Sequence, residues 1–136
     1  MSSRGIWAFD IDGTLIGAIR SDVLRPKVRE VFETLLTNDA LVVLWSAGGA
    51  DYAERMAVRH GIDDLVHAYF EKPDRAGAQH YTADHFPDHV RPTVFVDDSP
   101  LDLPPAWDVI AVDPFMGSNL HDRGMDVVLR YLQERR

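Results

Sequence analysis

Asp10-Ile11-Asp12-Gly13-Thr14 sets two carboxylates one residue apart directly behind the apolar run Ile6-Trp7-Ala8-Phe9, where a buried strand would reach the edge of a sheet. If strand alternation continues, both acids point to the same side, and Gly13 lets the main chain turn sharply away from them. Carboxylates crowded in this way repel, and a divalent cation with oxygen ligands, typically magnesium, relieves the repulsion. The same residues also suit a plain strand end and turn, because Asp and Gly are common turn formers. The two readings part on whether other strand ends supply complementary groups.

They do. Strand-like apolar segments recur at about 5–10, 41–45, 66–70, 93–97 and 108–112. Ser46 follows the second, Lys72 stands behind Glu71 after the third, and Asp97 and Asp98 close the fourth. Lysine occurs only at positions 27 and 72, and Lys27 falls in a predicted helix start. Paired acids, a hydroxyl, a fixed cation and a second acidic pair meet the needs of phosphoryl transfer through a magnesium-bound aspartate.

Helices are predicted over about 26–38, opened by Pro26, over 49–60, ended by Gly61, over 76–86, and over 120–134. In the last, Leu120, Val127, Val128, Leu129 and Leu132 supply an apolar face. Strands alternating with crossover helices imply an α/β fold with a mainly parallel sheet, doubly wound in three layers, whose ligands gather at the carboxyl ends of the strands. Trp45 and Trp107 are expected in the core, and Pro104-Pro105 in a loop entering the fifth strand.

The 136 residues suit a single domain over 1–136, and 46% hydrophobic with 26% charged residues is ordinary for a globular protein. No apolar run is long enough for a membrane span or a signal peptide, so a cytoplasmic location is expected. Absence of cysteine excludes disulfides, thiolate metal sites and cysteine nucleophiles. A net charge of −8 argues against a broad nucleic-acid footprint. Arg20 and Arg25, in the segment 16–25, are expected to contact a leaving group. His80, His85 and His89 read as solvent-exposed rather than as a zinc site, since no cysteine or HExxH pattern accompanies them and Pro87 interrupts the segment.

In Phe9-Asp10-Ile11-Asp12-Gly13-Thr14-Leu15, Leu44-Trp45-Ser46-Ala47-Gly48, Lys72-Pro73 and Val96-Asp97-Asp98-Ser99-Pro100 the chain resembles the magnesium-dependent phosphatases of the haloacid dehalogenase superfamily. The resemblance spans nearly the whole chain and implies a Rossmann-like five-stranded sheet of order 5-4-1-2-3. It assigns Asp10 as nucleophile and Asp12 as general acid and base, which disfavours dehalogenation, a reaction whose leaving halide needs no proton. Lys72 would neutralise charge, and Ser46 with the amides of Ala47 or Gly48 would bind phosphoryl oxygens. Ile11, Gly13 and Thr14 would shape the phosphate loop. Mg2+ would be held by Asp10, the carbonyl of Asp12 and an acid of the Asp97-Asp98 pair, with Asp98 favoured and Asp97 the alternative.

Many relatives insert a cap domain between these motifs, and the spacing leaves no room for one. An open site implies a phosphorylated substrate that can be macromolecular, or closure by oligomerisation. A polynucleotide 3′-phosphatase is the alternative within the same chemistry, weakened by the net acidity. A receiver-like phosphoacceptor domain or a catalytically silent binding domain is the alternative of another class. A receiver should place its acceptor after the third strand, where Glu71-Lys72 stands, and a lysine after the fifth, where Asp113-Pro114 stands.

Overall fold

The computed structural model describes residues 5–83 and 86–134. Five short strands, β1 (Ile6–Phe9), β2 (Leu41–Ser46), β3 (Ala68–Glu71), β4 (Val94–Asp97) and β5 (Val109–Ala111), pair in parallel in the order β3-β2-β1-β4-β5. Helices α1 (Val28–Thr37), α2 (Ala50–Arg59) and α3 (Gly124–Glu134) complete an α/β architecture. The sheet order is the expected one read from the opposite edge.

Period-two alternation sorts the strand residues between two cores. Trp7, Phe9, Val42, Leu44, Val96 and Ile110 face one side, where Phe32 of α1, Ala53 of α2 and Val128 of α3 pack on them. Ala8, Val43, Trp45 and Phe95 face the other, under Phe86, Val90 and Leu103. Right-handed crossovers account for the division. The steps from β1 to β2 and from β2 to β3 advance in one direction and carry α1 and α2 on one face. The chain then returns past β1, so the connections 72–93 and 98–108 cover the other face.

That second face is covered without an α-helix among the described residues. Residues 76–83 are turns and irregular chain, not the expected helix over 76–86, of which Asp84 and His85 lie outside the described residues. Ala76 and Gly77 have φ of 52° and 86°, a left-handed pair that interrupts any right-handed helix. The segment instead sets Tyr81 and Phe86 against Trp45, with ring centroids 5.7 and 5.3 Å away.

Two helix starts also differ from expectation. Lys27 adopts φ 72°, so α1 begins at Val28, beyond Pro26. α3 begins at Gly124 rather than at 120, because Asp122 caps it by accepting from the Gly124 amide at 2.9 Å. Its buried face is therefore Met125, Val128 and Leu132, while Leu120 and Val127 are exposed. Trp45 is buried, and half-buried Trp107 stacks on Phe95 at 4.3 Å. Between β1 and β3 the described chain holds α1, α2 and short turns, with no inserted domain. No described helix is long and apolar enough to cross a membrane.

Arg25 locks the loop after β1 to the rest of the fold. It is 1% exposed, and all five of its N–H groups find acceptors: both carboxylate oxygens of Asp122 at 2.6 and 3.1 Å, and the carbonyls of Asp113, Gly13 and Thr14 at 2.6, 3.3 and 3.2 Å. This corrects the expectation that Arg25 meets a leaving group, since its guanidinium is committed inward. Arg20 is exposed and pairs with Asp22 at 3.2 Å. Removing the Asp122 carboxylate strands a buried guanidinium. Asp122→Ala is therefore expected to lower stability by about 3 kcal/mol, read from the urea unfolding midpoint, and an unchanged midpoint would contradict the clamp.

Candidate active site

The strand order reverses at β1, from which β2 and β3 lie to one side and β4 and β5 to the other, and the crevice beyond the carboxyl ends of β1 and β4 at such a reversal is where open parallel sheets bind ligands. The main-chain ladder runs one residue past the strands there. The Asp10 amide donates to the Val96 carbonyl at 3.1 Å and the Lys72 amide to the Ser46 carbonyl at 2.8 Å. Continued alternation puts the side chains of Asp10, Lys72 and Asp97 on the Trp45 side of the sheet.

There they form one charge cluster. Lys72 Nζ lies 2.6 Å from Asp10 Oδ1 and 3.1 Å from Asp97 Oδ2, and the ammonium sits 5.0 and 5.4 Å from the ring centres of Trp45 and Tyr81. Burial alone would lower the pKa of Lys72, but the Asp10 and Asp97 carboxylates outweigh it and the net shift is upward. Asp97 Oδ1 also accepts the Ser99 amide at 2.7 Å. The buried Thr14 hydroxyl lies 3.0 Å from Asp10 Oδ2 and 3.2 Å from Asp98 Oδ1, and accepts the Asp98 amide at 3.1 Å. Thr14 is thus spent joining two acids. Gly13, at φ 82°, is where Asp98 comes close, because a Cβ there would overlap its carboxylate.

Asp10, Asp97 and Asp98 each bring an oxygen within 4.8 Å of the others. Three acids with one ammonium leave excess negative charge. Burial first, then the Asp10 carboxylate, pushes Asp97 above the ordinary carboxylate range. Burial, then the hydrogen bond and charge of Asp10, pushes Asp98 up to about 7. An all-oxygen donor set carrying excess negative charge, beside a site that penalises ionisation, fits a hard divalent cation.

Asp12 stands apart from this triad. β1 ends at Phe9, the Ile11 side chain is buried in the helix-side core, and the Ile11 carbonyl accepts the amides of Thr14, Leu15 and Ile16. The chain turns behind Ile11, and Asp10 and Asp12 lie in two different environments. Asp10 is buried against Lys72, whereas Asp12 is exposed and accepts a 2.7 Å hydrogen bond from the Tyr52 hydroxyl. Ser46 is buried at the end of β2, and its Oγ accepts the Gly48 amide at 3.0 Å. That contact occupies the Gly48 N–H and leaves the Ser46 O–H for another acceptor. Ser46 does not cap α2, which begins at Ala50 behind Gly49. Exposed Ala47 borders a cleft of about 480 Å³ shared with Glu71, Lys72, Arg75 and Tyr81.

Tyr52 is the site-shaping residue that sequence reasoning missed, and Arg25 is one to which it gave a different role. A tyrosine in the first turn of an amphipathic helix looks like any core-facing aromatic, and nothing local marks its hydroxyl as a partner of residue 12.

A family model described as "Protein of unknown function (DUF705)" matches residues 2–87, more than half of the chain. The chain belongs to this family. The DUF705 match spans Asp10, Asp12, Ser46 and Lys72 and stops short of Asp97 and Asp98. No curated protein matches the chain.

An acid whose folded pKa is raised contributes stability at low pH that is lost as pH rises through the folded value. For Asp97 and Asp98 that loss occurs between the ordinary carboxylate range and about pH 7. A cation that binds their ionised forms restores it. The rise in melting temperature on adding a divalent cation is therefore expected to be larger at about pH 8 than at about pH 5, where protons compete. Asp98→Asn should diminish the rise. Equal shifts at both pH values would count against the triad as a cation site.

Proposed function

We propose that this chain is a magnesium-dependent phosphomonoester hydrolase of the haloacid dehalogenase type, working through a phosphoryl group carried on Asp10. The observation that carries the reading is the meeting of Asp10, Lys72, Asp97 and Asp98 in the crevice between β1 and β4. Three separate strand ends, those of β1, β3 and β4, each with a residue type that phosphoryl transfer needs, converge there.

Asp10 supplies the attacking oxygen, forming an O–P bond as the ester P–O bond breaks. Asp12, outside the triad and facing solvent, gives its proton to the departing oxygen. A water then attacks phosphorus, its proton passes back to Asp12, and the bond to Asp10 breaks to release inorganic phosphate. Lys72 balances the charge of Asp10 and of the phosphoryl oxygens, and the Ser46 O–H donates to one of them. Asp10, Asp97 and Asp98 would hold magnesium, whose chemistry there is to draw negative charge from the phosphoryl group.

A receiver-like role has less support, because such domains order their strands 2-1-3-4-5, whereas β1 is central here. A phosphate-release screen over nucleotides, sugar phosphates, phosphopeptides and DNA 3′ ends, with Mg2+ and with chelator, tests the proposal. Mg2+-dependent release is expected for at least one class. Asp10→Asn and Lys72→Met should each lower it by roughly 1,000-fold or more. Activity that survives Asp10→Asn, or that ignores chelation, would reject the reading.

A further inference from the structure

Asp12 is exposed at the start of the turn 13–15, where a carboxylate would sample several rotamers unless something holds it. Tyr52 holds it. The tyrosine lies in the first turn of α2 and packs against the helix-side core. Its ring also covers Gly48 so closely that a Cβ at that position would stand 3.0 Å from a ring carbon. From this seat the hydroxyl reaches Asp12 Oδ1 at 2.7 Å. One side chain therefore spans the turn after β2, which carries Ser46, and the loop after β1, which carries Asp12. Burial, then the hydrogen bond to Asp12, pushes the Tyr52 phenol up to about 12, so the hydroxyl keeps its proton and acts as a donor.

We infer that Tyr52 is a positioning residue for proton delivery, fixing Asp12 through Oδ1 so that Oδ2 carries the proton to the leaving oxygen. The inference rests on the hydrolase reading above and narrows it to esters whose alkoxide cannot leave unaided. In the first step the ester P–O bond breaks and the proton moves from Asp12 Oδ2 to the departing oxygen. In the second, water loses its proton back to Oδ2 as phosphate is released. Tyr52 donates throughout and exchanges no proton. Leaving groups differ in how much they need this help. An alkoxide depends on a delivered proton, whereas a nitrophenolate departs without one.

Tyr52→Phe keeps the ring over Gly48 and removes only the hydroxyl. In the Mg2+-loaded full chain, kcat/KM is measured for an alkyl phosphate and for p-nitrophenyl phosphate, beside wild type, Asp12→Ala and the double variant. The alkyl ester is expected to lose about 10- to 100-fold while the aryl ester changes by less than about threefold. The double variant should fall no further than Asp12→Ala, because both changes disable one device. The melting temperature and its rise with Mg2+ should match wild type within about 2 °C, showing that the fold and the cation site are intact. Equal losses on both esters, or losses that multiply in the double variant, would overturn the role of Tyr52 and leave the hydrolase reading standing. A wild-type chain inactive on every phosphate ester would instead overturn that reading, and this inference with it.

Discussion

The buried ammonium of Lys72 is the contact on which the rest of the centre depends. Lys72 stands at the end of β3, two strands from β1, a separation of roughly 10 Å at ordinary strand spacing. A long side chain is needed to cross β2, and it does so beside the Trp45 ring, 5.0 Å from its centre. Its charge then reaches Asp10 and Asp97 at 2.6 and 3.1 Å. Without it, two carboxylates would lie buried and uncompensated, an arrangement that proteins avoid by protonation or rearrangement. With it, the three acids of the triad still outnumber the one ammonium. Burial, and then the hydrogen bond and charge of Asp10, accordingly raise the pKa of Asp98.

The face of the sheet that no α-helix covers among the described residues serves the same cluster. A covering helix between β3 and β4 would be an independent body, whereas the observed irregular layer is stitched to the site at several points. Arg75 pairs with Asp102 at 3.1 Å, and the Tyr81 amide donates to the Asp102 carbonyl at 2.9 Å. These contacts join the segment behind Lys72 to the turn behind Asp97 and Asp98. The Tyr81 ring meanwhile lies against Trp45 and within reach of the Lys72 ammonium. Cover and charge cluster are one packing unit, so displacing the layer would also displace the lysine.

Strand positions were readable because each strand is a short apolar run ending in a polar group, and sheet order followed from the resemblance carried by those ends. Most of the failures depend on contacts distant in sequence. Arg25 looked like a surface cation in a polar loop, and only the approach of Asp122 and the Asp113 carbonyl, roughly a hundred residues away, buries it. The helix expected over 76–86 failed because the aromatic residues there pack on a sheet face, a demand that overrides weak helical propensity. Leu120 was assigned to a helix that Asp122 starts two residues later. Tyr52 left no trace at all, since its meaning lies in a hydroxyl that meets residue 12 across two loops.

The spacing of Asp10 and Asp12 suggests a matched pair, yet the fold divides them. The first is clamped by a lysine and a threonine in the crevice between β1 and β4, and the second is presented to solvent by a tyrosine of α2. The division follows from the ending of β1 at Phe9 and from the turn behind Ile11, whose carbonyl accepts the amides of Thr14, Leu15 and Ile16. A carboxylate that must attack phosphorus needs a fixed position and a stable negative charge. One that must give and recover a proton needs access to the leaving group and to water. On the hydrolase reading proposed above, neighbouring acids in contrasting surroundings let one site obtain both behaviours from a single residue type.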